Sequence, residues 1–209
     1  MDQAGVMSPL YQEAAESPLT PDSLGKLGMW TFLAGDALNF GGLLAGYGAL
    51  RAGSANWPVP SKVFGVFGFW LVAFMTFLLI CSSVTMVMSL AAAQRDDQAG
   101  LRRFLSLTVL GGLAFLGCQA YEWTHLIHEG VTIGANPFGA SLFGTTFFVL
   151  TGFHGLHVTG GVIYLSCLLA RASGGRYSAH NYQPIETAGL YWHFVDLVWV
   201  LIFTFVYLL

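Results

Sequence analysis

The chain has 209 residues, of which 55% are apolar and only 9% charged, eight Lys and Arg against eleven Asp and Glu. A soluble domain carries about 25% charged residues, so a water-soluble globule is excluded and the composition is that of a polytopic membrane protein. No basic patch exists to meet nucleic-acid phosphates. Cys81, Cys118 and Cys167 are too few and too scattered for a secreted disulfide scaffold or a Cys/His zinc site.

Residues 1–25 read as a polar N-terminal tail, with Pro9, Pro18 and Pro21 among the acids Asp2, Glu13, Glu16 and Asp22. The tail lacks the basic and short apolar regions of a cleavable signal peptide, so the first membrane helix is expected to direct its own insertion. Residues 26–209 form the expected membrane domain. A spanning helix needs about 20 apolar residues, and the rare charges punctuate five such runs. They predict an all-α fold of five transmembrane helices near 27–50, 63–93, 104–128, 139–170 and 186–209. The second is long for one crossing, so tilt or protrusion is expected. Lys26, Arg95, Arg102, Arg103, Arg171 and Arg176 fall on one side and only Arg51 and Lys62 on the other. By the positive-inside rule the N-terminus is inside and the C-terminus outside.

Polar residues at membrane depth are the candidate functional residues, because an Asp at a helix centre costs about 2.5–3.5 kcal/mol. Asp36 lies about 15 Å into the first helix, and its turn (Ala34, Gly35, Ala37) offers no local partner. Asp196 sits in the last helix, one turn from His193 and ten residues after Glu186. Each carboxylate could serve a proton or ion path, or bond a neighbouring side chain and fix packing. Glu122, His125 and Glu129 share one helical face at i, i+3 and i+7. They read as an interfacial cluster satisfied by water, lipid headgroups or a partner chain. Glu122-x-x-His125 has the spacing of di-iron bundles, but no second copy exists. His154 and His157, one turn apart, read as a hydrogen-bonded core pair; a bis-histidine haem site with His193 is the rival. No metal site is expected. Gly42-x-x-x-Gly46 and Gly160-Gly161 are helix-packing signals, and Trp57, Trp123 and Tyr207 suit an interfacial aromatic belt.

Three blocks carry a resemblance. They are Lys26-Leu-Gly-Met-Trp-Thr-Phe-Leu-Ala-Gly-Asp36 with Phe40; Tyr121-Glu-Trp-Thr-His125-Leu-Ile-His-Glu-Gly130, running through Asn136-Pro-Phe-Gly-Ala-Ser-Leu-Phe-Gly144 to Thr151-Gly-Phe-His-Gly-Leu-His157-Val; and Glu186 with Tyr191-Trp-His-Phe-Val-Asp196-Leu-Val-Trp199. Together they resemble subunit III of the haem–copper terminal oxidases, in wording nearer to cytochrome c oxidase than to ubiquinol oxidase. The resemblance implies a non-catalytic, five-helix form of a subunit whose larger members have seven helices. It implies docking on subunit I beside subunit II, with haem and copper in those partners and no cofactor in this chain. It further implies bound phospholipids, support of proton uptake, cytochrome c as the donor to the complex and a bacterial cytoplasmic (inner) membrane. A respiratory supercomplex is a further possible partner. Where the family usually has Ser-Glu, this chain has Gly35-Asp36, which shortens the carboxylate's reach. Arg171 and Arg176 resemble inner-side residues that hold anionic lipid headgroups. Asp36 is the candidate proton-side carboxylate. Glu122, His125, His154, His157, Glu186, His193 and Asp196 are the candidate buried polar frame. Subunit III of a ubiquinol oxidase, and outside the family a small channel or transporter around Asp36 and Asp196, are the alternatives. A stand-alone membrane metalloenzyme would need more than six histidines.

Overall fold

Charges and turn-formers end the helices where the hydrophobic runs stop. A computed structural model describes residues 24–209. Most of the expected tail, residues 1–23, lies outside the described residues, and Leu24 and Gly25 already belong to the first helix. The elements are α1 (Leu24–Gly53), α2 (Pro60–Gln94), α3 (Gln98–His128), α4 (Ser141–Ser173) and α5 (Gln183–Ile202), the last continuing as a π-helical segment over Phe203–Leu208. Among the described residues there is no strand. Four helices are long and apolar enough to cross a membrane: α2, α3, α4 and α5 with its π segment. At 30 residues, α1 is about 45 Å long, but Lys26, Asp36, Asn39, Arg51 and its many glycines dilute its apolar character.

The helices run up and down, tied at both ends by their loops. At one end the α2–α3 turn is only Arg95–Asp97. Asp97 caps α3 by accepting the Gly100 amide at 2.9 Å, a standard N-cap contact. The helix therefore begins six residues before the expected 104, and Arg102 and Arg103 stand on its exposed face instead of in a loop. Asp96 accepts the Ala179 amide at 2.7 Å, and the Gln98 amide donates to the Tyr177 carbonyl at 2.7 Å, which fastens this turn to the α4–α5 loop. At the other end the Ala140 amide donates to the Asn56 carbonyl at 2.9 Å, which joins the α1–α2 and α3–α4 loops.

Expected to tilt or protrude, α2 also breaks. Gly65 has φ 60° and ψ −173°, a left-handed conformation that glycine adopts without steric cost. The short turn Pro60–Phe64 thus leaves the direction of the main helix.

The core lies among α2, α3, α4 and α5, and its largest fully buried side chains include Trp192, Trp199, Phe115, Phe147 and Met75. In lipid, helix association rests on close packing and interhelical hydrogen bonds. Both occur here. The Trp192 indole donates to Ser82 at 3.0 Å and that of Trp199 to Thr76 at 2.9 Å, each joining α5 to α2. A Cβ on Gly112 or Gly161 would fall within 2.8 Å of the Trp192 ring. Of the Gly160-Gly161 packing signal, Gly161 is therefore explained by one buried tryptophan, whereas a Cβ on Gly160 would meet only the Tyr191 hydroxyl at 3.8 Å. By contrast, Gly42 and Gly46 are exposed on α1, and a Cβ on either would meet nothing within 4 Å. Cys81, Cys118 and Cys167 are free thiols, and Cys167 is exposed instead of buried in the core.

Overpacking typically costs about 1–3 kcal/mol. Gly161→Ala should lower the thermal stability of the detergent-solubilised protein by about that amount. An unchanged unfolding temperature would show that the Trp192 ring can shift aside.

On the other side of the core, α1 packs mainly on α5 and α4. Its buried stripe is narrow: Leu33, Asp36, Phe40 and Tyr47. These positions recur at three- and four-residue spacings, so one face of α1 turns inward. The only acid of α1 is in that stripe.

Candidate functional site

Asp36 is 6% exposed, and the partner its own helix cannot supply comes from α4. His157 Nε2 lies 3.0 Å from Asp36 Oδ2. His157 Nδ1 faces the Phe153 carbonyl oxygen at 2.8 Å. A carbonyl oxygen only accepts, so Nδ1 must carry a hydrogen. A second proton must then sit on the Nε2–Oδ2 line, because two lone pairs at that distance would repel. The pair is therefore either imidazolium with carboxylate or neutral imidazole with carboxylic acid. Both forms are electrically neutral overall and hold one transferable proton. The Tyr191 hydroxyl of α5 donates to the His157 carbonyl at 2.9 Å. Phe40 and Phe153 close edge-on against the imidazole, with centroids at 5.1 and 4.7 Å.

His154 does not bond His157, which corrects the expected hydrogen-bonded histidine pair. One turn along α4 rotates the two rings to different neighbours. His157 meets α1, whereas His154 is fully buried against Trp199 at 5.0 Å and Phe115 at 5.7 Å. Neither nitrogen of His154 has a hydrogen-bond partner. His193 turns instead to α2, its Nδ1 at 2.6 Å from the Ser83 hydroxyl, so the bis-histidine arrangement is not assembled. Asp196 Oδ1 is shut off from solvent without a hydrogen-bond partner. Asp36 and Asp196 face different helices. Among the described residues, no three His, Cys, Asp or Glu side chains gather as a metal site.

The face shared by Glu122, His125 and Glu129 splits. The buried stripe of α3 is Phe115, Gln119, Glu122 and Leu126. His125 lies roughly a quarter turn from the centre of that stripe, and Glu129 lies beyond the helix end. These two pair at 3.7 Å with 45% and 40% exposure. His125 is therefore not part of a buried frame, and Glu122, 3% exposed, is not interfacial. Glu122 Oε2 accepts the Tyr207 hydroxyl at 3.1 Å. Tyr207 is correspondingly a core residue and not a belt aromatic, because the π-helical segment turns it inward.

Glu186, also expected in the buried frame, is half-exposed and pairs with Lys26 at 2.7 Å. Their burial is too slight for a large energy, but the pair fixes the starts of α1 and α5 at the same bundle end. Arg171 and Arg176 are exposed at that end. Between them and α3, burial pushes the Tyr177 hydroxyl up, and the charges of Arg171 and Arg176 partly offset the shift.

Sequence reasoning passed over Ser83 and gave the hydroxyls of Tyr191 and Tyr207 no part in the polar contacts. Their signal was faint: a hydroxyl in an apolar run reads as ordinary packing until a neighbouring helix is known.

The fold and these contacts define an all-helical integral membrane protein with ionisable groups paired between helices and no assembled metal site among its described residues. A model of the family described as cytochrome c oxidase subunit III matches residues 23–209. The chain is 37% identical over 190 residues to a Mycobacterium leprae protein named probable cytochrome c oxidase subunit 3, covering 90% of each. It is 38% identical over 184 residues to cytochrome c oxidase subunit 3 of Bacillus subtilis, covering 88% of this chain and 85% of that one. It is 36% identical over 186 residues to quinol oxidase subunit 3 of Bacillus spizizenii, covering 89% and 87%. The chain belongs to the cytochrome c oxidase subunit III family.

Proposed function

We propose that the chain is the non-catalytic subunit III of a proton-pumping cytochrome c oxidase in a bacterial cytoplasmic membrane. The carrying observation is the family match across residues 23–209. In this reading subunit III docks on subunits I and II, which hold the haem and copper, and cytochrome c feeds the complex, itself open to supercomplex assembly. The Asp36–His157 pair is the chain's proton-side element. Its geometry supports that role because one proton is shared between His157 Nε2 and Asp36 Oδ2; handing it on leaves Asp36 ionised in the interior, which drives the pair to reload before it donates again. Glu122, His154, His193 and Asp196 keep the helices in register, and Lys26–Glu186 closes the inner end.

The proposal includes five crossings, with α1 as the first, the N-terminus inside and the C-terminus outside. Lys26, Arg95, Arg102, Arg103, Arg171 and Arg176 all belong to the end that would face the cytoplasm, as the positive-inside rule requires. Exposed Arg171 and Arg176 are placed to meet phospholipid headgroups there. The quinol oxidase relative supports a second reading, in which the complex takes electrons from a quinol.

A mild-detergent pull-down of the chain, read by optical spectrum and mass spectrometry, tests both. Haem absorbance with a large helical partner is the expected result. A copper-bearing subunit II supports cytochrome c as donor, and a subunit II without copper supports the quinol. A colourless, solitary chain would end the oxidase reading.

A further inference from the structure

Glu122 is a buried acid that the proposed function uses only as packing, and its surroundings are unusual. Its Oε2 has one partner, the Tyr207 hydroxyl at 3.1 Å. Its Oε1 is shut off from solvent and has no hydrogen-bond partner. It belongs to none of the ion pairs among the described residues.

The titratable groups at this end of the bundle do not supply a counter-charge. On α1, Arg51 sends its guanidinium to the Phe205 and Leu209 carbonyl oxygens, and Tyr47 stacks edge-on against Trp57 at 5.4 Å. On α3 itself, His125 and Glu129 pair on the exposed side, and His128 and Lys62 of α2 are exposed and outside every ion pair among the described residues. From α2 and α4, Phe64 and Phe147 present only rings to Tyr207, at 4.5 and 5.9 Å. A carboxylate taken out of water without a cation costs several kcal/mol, and in practice such a group is neutralised.

Tyr207, itself only 4% exposed, is the one partner of this acid that also borders a surface groove. It lines a groove with Val59, Ser61, Phe64, Gly65 and Phe69. Both walls of the groove are irregular helix: α2 breaks at Gly65, and Tyr207 sits in the π-helical segment Phe203–Leu208. Short π segments are rare and often mark functional positions.

We propose that Glu122 is a second proton-holding site, a neutral carboxylic acid that exchanges its proton with the groove through the Tyr207 hydroxyl. In the loading step the Tyr207 O–H bond breaks and its proton goes to a Glu122 oxygen. The Tyr207 oxygen takes a replacement proton from a hydronium ion in the groove, which is left as water. One proton moves and no electrons change hands; release runs the same path backwards. This site is separate from Asp36–His157 and belongs to the opposite end of the bundle from Lys26–Glu186.

Infrared spectra of the purified assembly containing this chain, recorded in H2O and D2O at neutral pH, test the proposal. The carbonyl stretch of a protonated carboxyl should be present in the native protein and lost in Glu122→Gln. Tyr207→Phe should keep that band, shift it upward because the carbonyl oxygen loses its donor, and slow its hydrogen–deuterium exchange by about a hundredfold. Identical carboxyl bands in the native protein and Glu122→Gln would show Glu122 to be ionised and overturn the site. Unchanged exchange in Tyr207→Phe would overturn the relay. Should Glu122→Gln fail to assemble, Tyr207→Phe alone decides: an unshifted band overturns the assignment.

Discussion

Asp36→Asn is expected to leave the protein assembled and to shorten its active life during turnover severalfold. The asparagine amide can donate to His157 Nε2, while Nδ1–H keeps its bond to the Phe153 carbonyl. Geometry and hydrogen-bond count are thereby retained, and the stability change should stay within about 1 kcal/mol. The hydrogen on the line to Nε2 then belongs to an amide, which is far too weak an acid to hand it on as a proton at neutral pH. If Asp36 supplies protons to the neighbouring catalytic subunit, initial turnover should be near normal and the total number of turnovers before inactivation should fall. Oxygen consumption followed to inactivation measures this. An unchanged turnover lifetime would assign Asp36 to packing alone.

The largest loss of stability should come from breaking the same pair on its other side. His157→Leu leaves Asp36 buried with no partner, and removing one member of a buried pair costs about 3–5 kcal/mol. Replacing both members by apolar groups of similar size is often near neutral. Asp36→Leu together with His157→Leu should therefore recover most of what His157→Leu loses. Thermal unfolding in detergent reads both variants, together with Asp36→Leu, and completes the cycle. Strict additivity would show that the two side chains do not interact energetically.

The architecture was legible for a simple reason. In a chain with so few charges, each one had to mark a helix end or a special site. All five runs became helices, yet their ends were less legible. Arg102 and Arg103 read as a loop because charges in a membrane protein suggest water, whereas a helix that protrudes from the apolar layer can carry them on an exposed face. The break at Gly65 and the π segment at Phe203 had no signature, since both depend on how α2 and α5 fit together.

The candidate residues divide along the same line. That Asp36 lacks a partner in its own turn was readable; that the partner is His157 was not, because the contact joins two helices distant in sequence. The same limit explains Glu122. Its helical face was readable, but not which part of that face meets Tyr207. It explains His193 as well, which was linked to Asp196 by spacing and bonds Ser83 on α2.

The separation of Asp36 from His157 also sets a timetable. The two residues are 121 positions apart, and protein synthesis adds about 5–20 residues per second. Asp36 thus leaves the ribosome roughly 6–24 s before the imidazole that completes it. During that interval α1 has no α4 to lean on, and its carboxyl must be protonated or remain at a water-facing boundary. Although α1 is synthesised before α4, its buried acid is therefore among the last groups to be secured, and the order of packing is the reverse of the order of synthesis.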